Sequence, residues 1–195
     1  MARFHFDYAY KEGPCFSAET LTMKIAFIGT HGTGKTTLCH LLTGEMKKRG
    51  LNAHMVTEIA RKCPLPINQQ TNADAQLWIL VNQIGAELET AHRHDYVICD
   101  RSVLDNYAYQ VVNSGEHALM GAIVEGWLPT YDVLFKTPNC LGLEADGVRA
   151  TERSFQDAVD GEVDRLLAER GVAYVALPEE PGQQLTFVLD YLGLS

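Results

Sequence analysis

The segment Gly29-Thr-His-Gly-Thr-Gly34-Lys35-Thr36 constrains this chain more than any other. It fits G-x-x-x-x-G-K-[ST] at every fixed position. Glycines at this spacing let successive backbone N–H groups turn inward and cradle anionic oxygens. The flanks agree. Lys24–Gly29 is an apolar run ending at a glycine, as a buried strand would be. Lys35–Arg49 carries Leu38, Leu41, Leu42 and Met46 at helical spacing, and Gly50 stops it. A helix that begins at such a loop offers its positive end to the same anion. Gly29, Thr30, His31, Gly32, Thr33, Gly34, Lys35, Thr36 and Thr37 are therefore the candidate nucleotide-binding residues, with ATP and magnesium as the expected ligands. Lys35 is expected to bridge the β- and γ-phosphates, and the Thr36 hydroxyl to bind the metal. His31 occupies a variable position of the motif, and its side chain is expected to face solvent.

Beyond the loop the chain alternates between the two kinds of element. Ala53–Thr57 reads as a second strand, and Cys63–Gln70 as a proline-punctuated loop. A long helix is expected over 72–93, with Leu77, Leu80, Val81, Ile84, Leu88 and Ala91 on its apolar face. Tyr96–Cys99 is a third strand ending in Asp100. Val103–Val112 and Glu116–Glu125 read as two helices around Gly115, and Asp132–Lys136 as a fourth strand. A glycine-containing loop over 138–150 precedes a helix at Phe155–Arg170, a fifth strand at Val172–Leu177 and a closing helix at Gln183–Leu192. Alternation of this kind, with strands of buried type, implies an α/β fold: a parallel sheet covered by helices on both faces. The pattern starts at Met23, so residues 1–22 are expected to be an extension outside a domain at 23–195.

Bulk composition narrows the partners. With 46% hydrophobic and 21% charged residues, this is the composition of an ordinary globular domain. No apolar run approaches the ~20 residues of a membrane span, and the first residues lack the apolar centre of a secretory signal. A cytoplasmic location without membrane association is expected. Five cysteines, spread widely and without a C-x-x-C pair, argue against a disulfide framework or a zinc site. A net charge of −9 disfavours nucleic acid, whose binding depends on neutralising phosphates, but leaves nucleotides open because they need only a local cluster of amides and cations.

Three further segments carry candidate chemistry. Tyr96-Val-Ile-Cys-Asp100-Arg101-Ser102 places an acid at the carboxyl end of a strand, where it can hold magnesium, with Arg101 over the transfer site. The same residues also read as a helix cap. Glu58 and Arg61 follow the second strand and face the same crevice. There they are candidates to meet the phosphate acceptor, with Glu58 taking a hydroxyl proton or bonding a ribose. A solvated i, i+3 ion pair accounts for them equally well. Asp146-Gly-Val-Arg149 and Arg153 fall in and after the loop, where mobile arginines suit a lid that closes on ATP; a plain exposed loop is the alternative. The candidate catalytic set is thus Lys35, Glu58, Asp100, Arg101, Arg149 and Arg153. The acceptor-side set is Glu58, Arg61 and Arg101, and the metal-binding set is Thr36 and Asp100.

Taken together, GTHGTGKTT at 29–37, Glu58-x-x-Arg61, Asp100-Arg101-Ser102 and Asp146-Gly-x-Arg149 resemble the P-loop nucleoside and nucleotide kinases. The likeness runs from about Met23 to Leu192, and it points towards the ribosylnicotinamide-kinase domain of bacterial bifunctional NAD-biosynthesis proteins and its ATPase-like relatives. It implies a three-layer fold with a five-stranded parallel sheet in order 2-3-1-4-5 and a lid over ATP. By the same resemblance, Glu58 matches the acid that acts as base in deoxynucleoside kinases, and Asp100-Arg101-Ser102 matches their acid-Arg-Ser motif. The implied activity is ATP-dependent phosphorylation of a small nucleoside-like hydroxyl acceptor. Stand-alone relatives also include thymidylate-kinase-like enzymes and phage kinases of modified bases in DNA. The partners expected are ATP and that acceptor, with a homodimer left open. Two other classes compete. A GTPase switch needs a guanine-reading N-K-x-D after a late strand, and Lys136-Thr-Pro-Asn-Cys offers none. A motor ATPase moves a partner and needs no small-molecule acceptor.

Overall fold

The computed structural model describes residues 22–67, 71–139 and 150–195, with side chains described from Arg153 onward in the last stretch. The candidate lid residues Asp146 and Arg149, and all but Thr22 of the extension, lie outside the described residues.

Five strands form one parallel sheet. They are β1 (Met23–Ile28), β2 (Ala53–Val56), β3 (Tyr96–Asp100), β4 (Val133–Lys136) and β5 (Val175–Ala176), and their order is β2-β3-β1-β4-β5. The helices are α1 (Lys35–Lys48), α2 (Ala73–Ala91), α3 (Val103–Ser114), α4 (Ala118–Trp127), α5 (Ala150–Glu169) and α6 (Pro181–Tyr191). Both the fold class and the strand order match the expectation.

Side-chain alternation along β1 divides the core in two. Ile25 and Phe27 join Leu38, Leu42 and Met46 of α1 and Val188 of α6 on one face. Ala26 and Ile28 join Leu80, Leu104, Val124, Val163 and Leu166 of α2 to α5 on the other. The central strands β1 and β3 are therefore buried on both faces, which is why they read as near-continuous apolar runs. No helix among the described residues is long and apolar enough to cross a membrane. Of the cysteines, Cys39 and Cys99 are buried and reduced, and Cys63 is reduced at partial exposure.

The structure departs from expectation in three places. A one-turn 3-10 helix over Ile59–Lys62 follows β2, in residues for which no element was expected. β5 spans only Val175–Ala176, opposite Phe135 and Lys136, where a strand over Val172–Leu177 was expected.

The third departure concerns α2. The apolar stripe drawn along it would bury Val81 and Leu88, yet these are 45% and 52% exposed. Leu80 is buried and Leu77, Ile84 and Ala91 pack against the core as expected, but α2 also buries Gln76, Gln83 and Glu87. Polar groups are excluded from an apolar core unless they find partners, so hydrophobic spacing points away from such a stripe. Leu41 of α1 is likewise 48% exposed, and Cys39 takes the inward position.

Candidate active site

The carboxyl ends of β1, β2 and β3 meet at one edge of the sheet, where open α/β sheets bind ligands. Between β1 and α1, Gly29, Gly32 and Gly34 have φ of 126°, 73° and 84°, which is left-handed backbone that glycine alone adopts freely. At Gly29 space adds to conformation, since a Cβ there would stand 2.9 Å from Thr137 Oγ1.

Side chains from other elements brace this loop. The Gly29 N–H donates to Asp105 Oδ1 at 2.7 Å. Thr33 Oγ1 lies 2.7 Å from Thr137 Oγ1, and Gln156 Nε2 donates to the His31 carbonyl at 2.6 Å. Lys35 Nζ donates to the Thr30 carbonyl and, at 3.0 Å, to Thr33 Oγ1, so its ammonium lies folded over the loop. Burial, and next the positive charge of Arg101, lower the Lys35 pKa to about 8.

Thr36 Oγ1 donates to Asp100 Oδ2 at 2.6 Å, which puts a hydroxyl and a carboxylate side by side beneath the loop. Burial, together with repulsion from Glu58, raises the Asp100 pKa even though Thr36, Arg101 and Lys35 oppose the shift. Two oxygen ligands of this kind fit magnesium, which usually takes one or two protein oxygens and fills its shell from phosphates and water. Among the described residues no group of three or more His, Cys, Asp or Glu side chains could hold a metal.

Arg101 is the one described non-glycine residue with positive φ, at 84°. Such a conformation costs roughly 1–3 kcal/mol, persists only where the surroundings enforce it, and concentrates at functional sites. The side chain is buried. Its Nε donates to Glu58 Oε1 at 2.8 Å, its Cζ lies 5.1 Å from the Tyr109 ring centre, and its Nη1 has no hydrogen-bond partner among the described residues. Burial disfavours its charge, but Tyr109, Glu58 and Asp105 more than offset this and the guanidinium stays protonated.

Glu58 accepts a second ion pair from Arg61 Nε at 2.7 Å. Burial works against a Glu58 carboxylate, yet Arg101 and Arg61 together outweigh it and hold the carboxyl below its usual range. Ser102 caps α3 in a capping box whose other member, Asp105, is the same residue that holds Gly29. The cap expected within Asp100–Ser102 is therefore formed by Ser102, while the Asp100 and Arg101 side chains turn to Thr36 and Glu58.

Most of the candidate residues converge. Thr36 bonds Asp100, Arg101 bonds Glu58 and through it Arg61, and Lys35 feels the charges of Asp100, Arg101 and Glu58. Thr37 is exposed on the first turn of α1. Arg153 does not join them: half-exposed, it pairs with Asp157 on its own helix at 3.3 Å.

His31 corrects an expectation, because it is partly buried rather than solvent-facing. Its Nδ1 lies 2.9 Å from the Tyr109 hydroxyl, with the Phe155 ring 6.1 Å away. Asp105, Tyr109, Thr137 and Gln156 were not among the expected site residues. Only Asp105 left a readable signal, as the third residue after a capping serine.

Beside Glu58 and Arg101 a cavity of about 30 Å³ is walled by Ile67, Gln76, Ile79, Asn106 and Tyr109. A larger groove, about 1060 Å³, lies at Asp132, Val133 and Tyr174, near the start of β4 and β5, which is the edge opposite the loop. Chemistry rather than volume marks the site.

The family model described as AAA domain matches residues 24–184, most of the chain. The chain belongs to the AAA domain family. Among solved structures, this AAA domain is similar to thymidylate kinase from Ehrlichia chaffeensis, with a TM-score of 0.62 at 17% identity over 89% of this chain and 98% of that one. At that identity the likeness shows the fold, and it agrees with the strand order described above. No curated protein matches the sequence.

Proposed function

We propose that the chain is an ATP-dependent kinase that transfers the γ-phosphoryl group to a small nucleoside-type acceptor. The observation that carries this reading is the cluster itself. A glycine-turned loop with Lys35 folded over it, a hydroxyl–carboxylate pair at Thr36 and Asp100, and a buried, charged Arg101 meet at one strand edge. Phosphoryl transfer asks a protein for little covalent chemistry and much positioning and charge compensation. Lys35 neutralises the β- and γ-phosphates. Thr36 and Asp100 are the residues to hold magnesium, which when bound supplies further compensation on the phosphates. In transfer the bond from γ-phosphorus to the bridging oxygen breaks, a bond to the acceptor oxygen forms, and ADP leaves.

The acceptor oxygen can be a hydroxyl or a phosphate. For a hydroxyl, Glu58 is the base, as the resemblance to nucleoside kinases implies. The observed geometry favours the second reading, a nucleoside-monophosphate acceptor of the thymidylate-like kind. A carboxylate shared by two arginines and held below its usual pKa is a weak proton acceptor, and a phosphate already ionised needs none. Arg101 Nη1 and Asn106 Nδ2, buried donors without partners among the described residues, also suit an acceptor rich in anionic or carbonyl oxygens.

The test is ADP release from magnesium-ATP with panels of nucleosides and nucleoside monophosphates, run with wild type and Glu58→Gln. Loss of turnover in Glu58→Gln by ~10²–10⁴ would assign a hydroxyl acceptor. Near-wild-type turnover with monophosphates alone would assign a phosphate.

A further inference from the structure

The polar stripe that α2 buries has no part in the cluster just described, yet it leads to it. Glu87 is fully buried and accepts four hydrogen bonds: from Gln83 Nε2 at 2.8 Å, Tyr131 Oη at 2.7 Å, Trp127 Nε1 at 2.8 Å and Lys24 Nζ at 3.0 Å. The Lys24 ammonium also lies 4.4 Å from the Trp127 ring centre and 5.1 Å from that of Tyr131. A buried carboxylate satisfied this fully makes a rigid centre, because losing any one donor leaves charge unpaired in a medium that solvates it poorly.

Two arms of this centre reach the backbone on either side of Ser102. Gln83 Nε2, besides bonding Glu87, lies 3.4 Å from the Arg101 carbonyl oxygen. Tyr131 Oη, besides donating to Glu87, accepts the Val103 N–H at 3.1 Å. On the other side, the Arg101 N–H donates to the Phe27 carbonyl at 3.2 Å, which ties the residue to β1. The left-handed Arg101 is thus gripped at its own N–H, at its own carbonyl and at the N–H two residues on. A strained residue persists only under constraint of this kind.

We infer that Gln83 and Tyr131, both fixed by Glu87, are positioning residues that hold Arg101 left-handed and so aim its guanidinium at Glu58 and the acceptor. The inference rests on the kinase reading only for the consequence of the aim. The grip itself is a matter of geometry.

The test uses the full chain. The Arg101 Nε–H, buried and bonded to Glu58, should give a slowly exchanging side-chain signal in the nitrogen-15 spectrum, assigned by its loss in Arg101→Lys. Gln83→Met keeps the bulk and removes the amide. It is expected to shift or broaden the Arg101 signal while that of Arg165, which is bonded to Glu162, stays in place. An unmoved Arg101 signal would overturn the inference. Tyr131→Phe, which removes a single hydroxyl, is the milder variant should Gln83→Met fail to fold, and an unmoved Arg101 signal there counts equally against it.

In turnover, Gln83→Met is expected to lower kcat roughly 10- to 100-fold with the KM for ATP unchanged. It should have little further effect in an Arg101→Lys background, since the two residues act in series. Additive losses would make Gln83 a structural residue only. If the wild type transfers no phosphoryl group to any acceptor, the kinase reading fails, and the spectra still decide the positioning.

Discussion

The two halves of the site are built differently. The proposed ATP half is a single stretch of backbone, Gly29–Thr36, whose shape comes from glycines at positive φ and whose inward-turned N–H groups would meet the phosphates. The proposed acceptor half is assembled from side chains of separate elements: Glu58 and Arg61 after β2, Gln76 and Ile79 on α2, Arg101 after β3, Asn106 and Tyr109 on α3. A backbone site is local and tolerates little change in the residues that turn it. A side-chain site is distributed, so its specificity can be rewritten one residue at a time. On the proposed reading, the first half sets the reaction class and the second the choice of acceptor.

Substitutions can break or sharpen this division. The largest effect is expected from Lys35→Ala, which removes the charge that meets the phosphates. Turnover should fall at least 10²–10³-fold with every acceptor alike and no change in melting temperature. An acceptor-dependent loss would blur the two halves.

Gly29→Ala comes next. It forces an L-residue to φ 126° and sets a Cβ 2.9 Å from Thr137 Oγ1, so ATP affinity should collapse and stability fall by about 2 kcal/mol. A thermal melt in the presence and absence of ATP checks both.

Arg61→Ala is smaller and should act on the acceptor half alone. Arg61 is exposed and reaches the cluster only through Glu58, so the acceptor KM should rise by about tenfold or less while the ATP KM holds.

The pH response of ATP binding follows from Lys35. Free Lys35 titrates at about 8, below its ordinary value, while bound phosphate favours the charged form. Affinity should therefore be flat below pH 8 and fall above it, by at most tenfold per unit, as binding takes up a proton. The stability contribution has its own sign. The depressed pKa means the unfolded chain binds more protons between about 8 and 10.5, so this group adds stability as pH rises through that window.

The smallest effect is expected from deleting residues 1–22, whose described contacts are the hydrogen bonds from Thr22 Oγ1 to the Ala91 and His94 carbonyls at 3.1 and 3.2 Å. A chain starting at Met23 should keep its melting temperature and ATP affinity, and a loss of several degrees would place the extension on the domain.

The same division explains what could be read from sequence. The strands, the helices and the glycine-turned loop were legible because glycine spacing, strand ends and helix starts are local signals that survive without tertiary context, whereas the strand order came only from the resemblance to P-loop kinases. Asp100, Arg101 and Glu58 were legible as strand ends, and the structure brings them together. Tyr109, Thr137 and Gln156 were not, since each acts on the site from a distance in sequence of tens of residues and none belongs to a pattern. The buried stripe of α2 was misread for a definite reason. Gln83 and Glu87 look like a solvated face until Lys24, Trp127 and Tyr131 are placed against them. Hydrophobic periodicity assumes that buried means apolar, and α2 buries satisfied polar groups beside Ala75, Ile79 and Leu80.

The central claim is that ATP turnover here serves a small acceptor. The most direct measurement is the rate of ADP release from magnesium-ATP with and without a panel of nucleosides and nucleoside monophosphates. The account predicts release that depends on one acceptor class, matches the phosphorylated product one for one, and disappears in Lys35→Ala. ADP release at the same rate with no acceptor present, also lost in Lys35→Ala, would contradict it and make the chain an ATPase whose loop drives a motion or a switch.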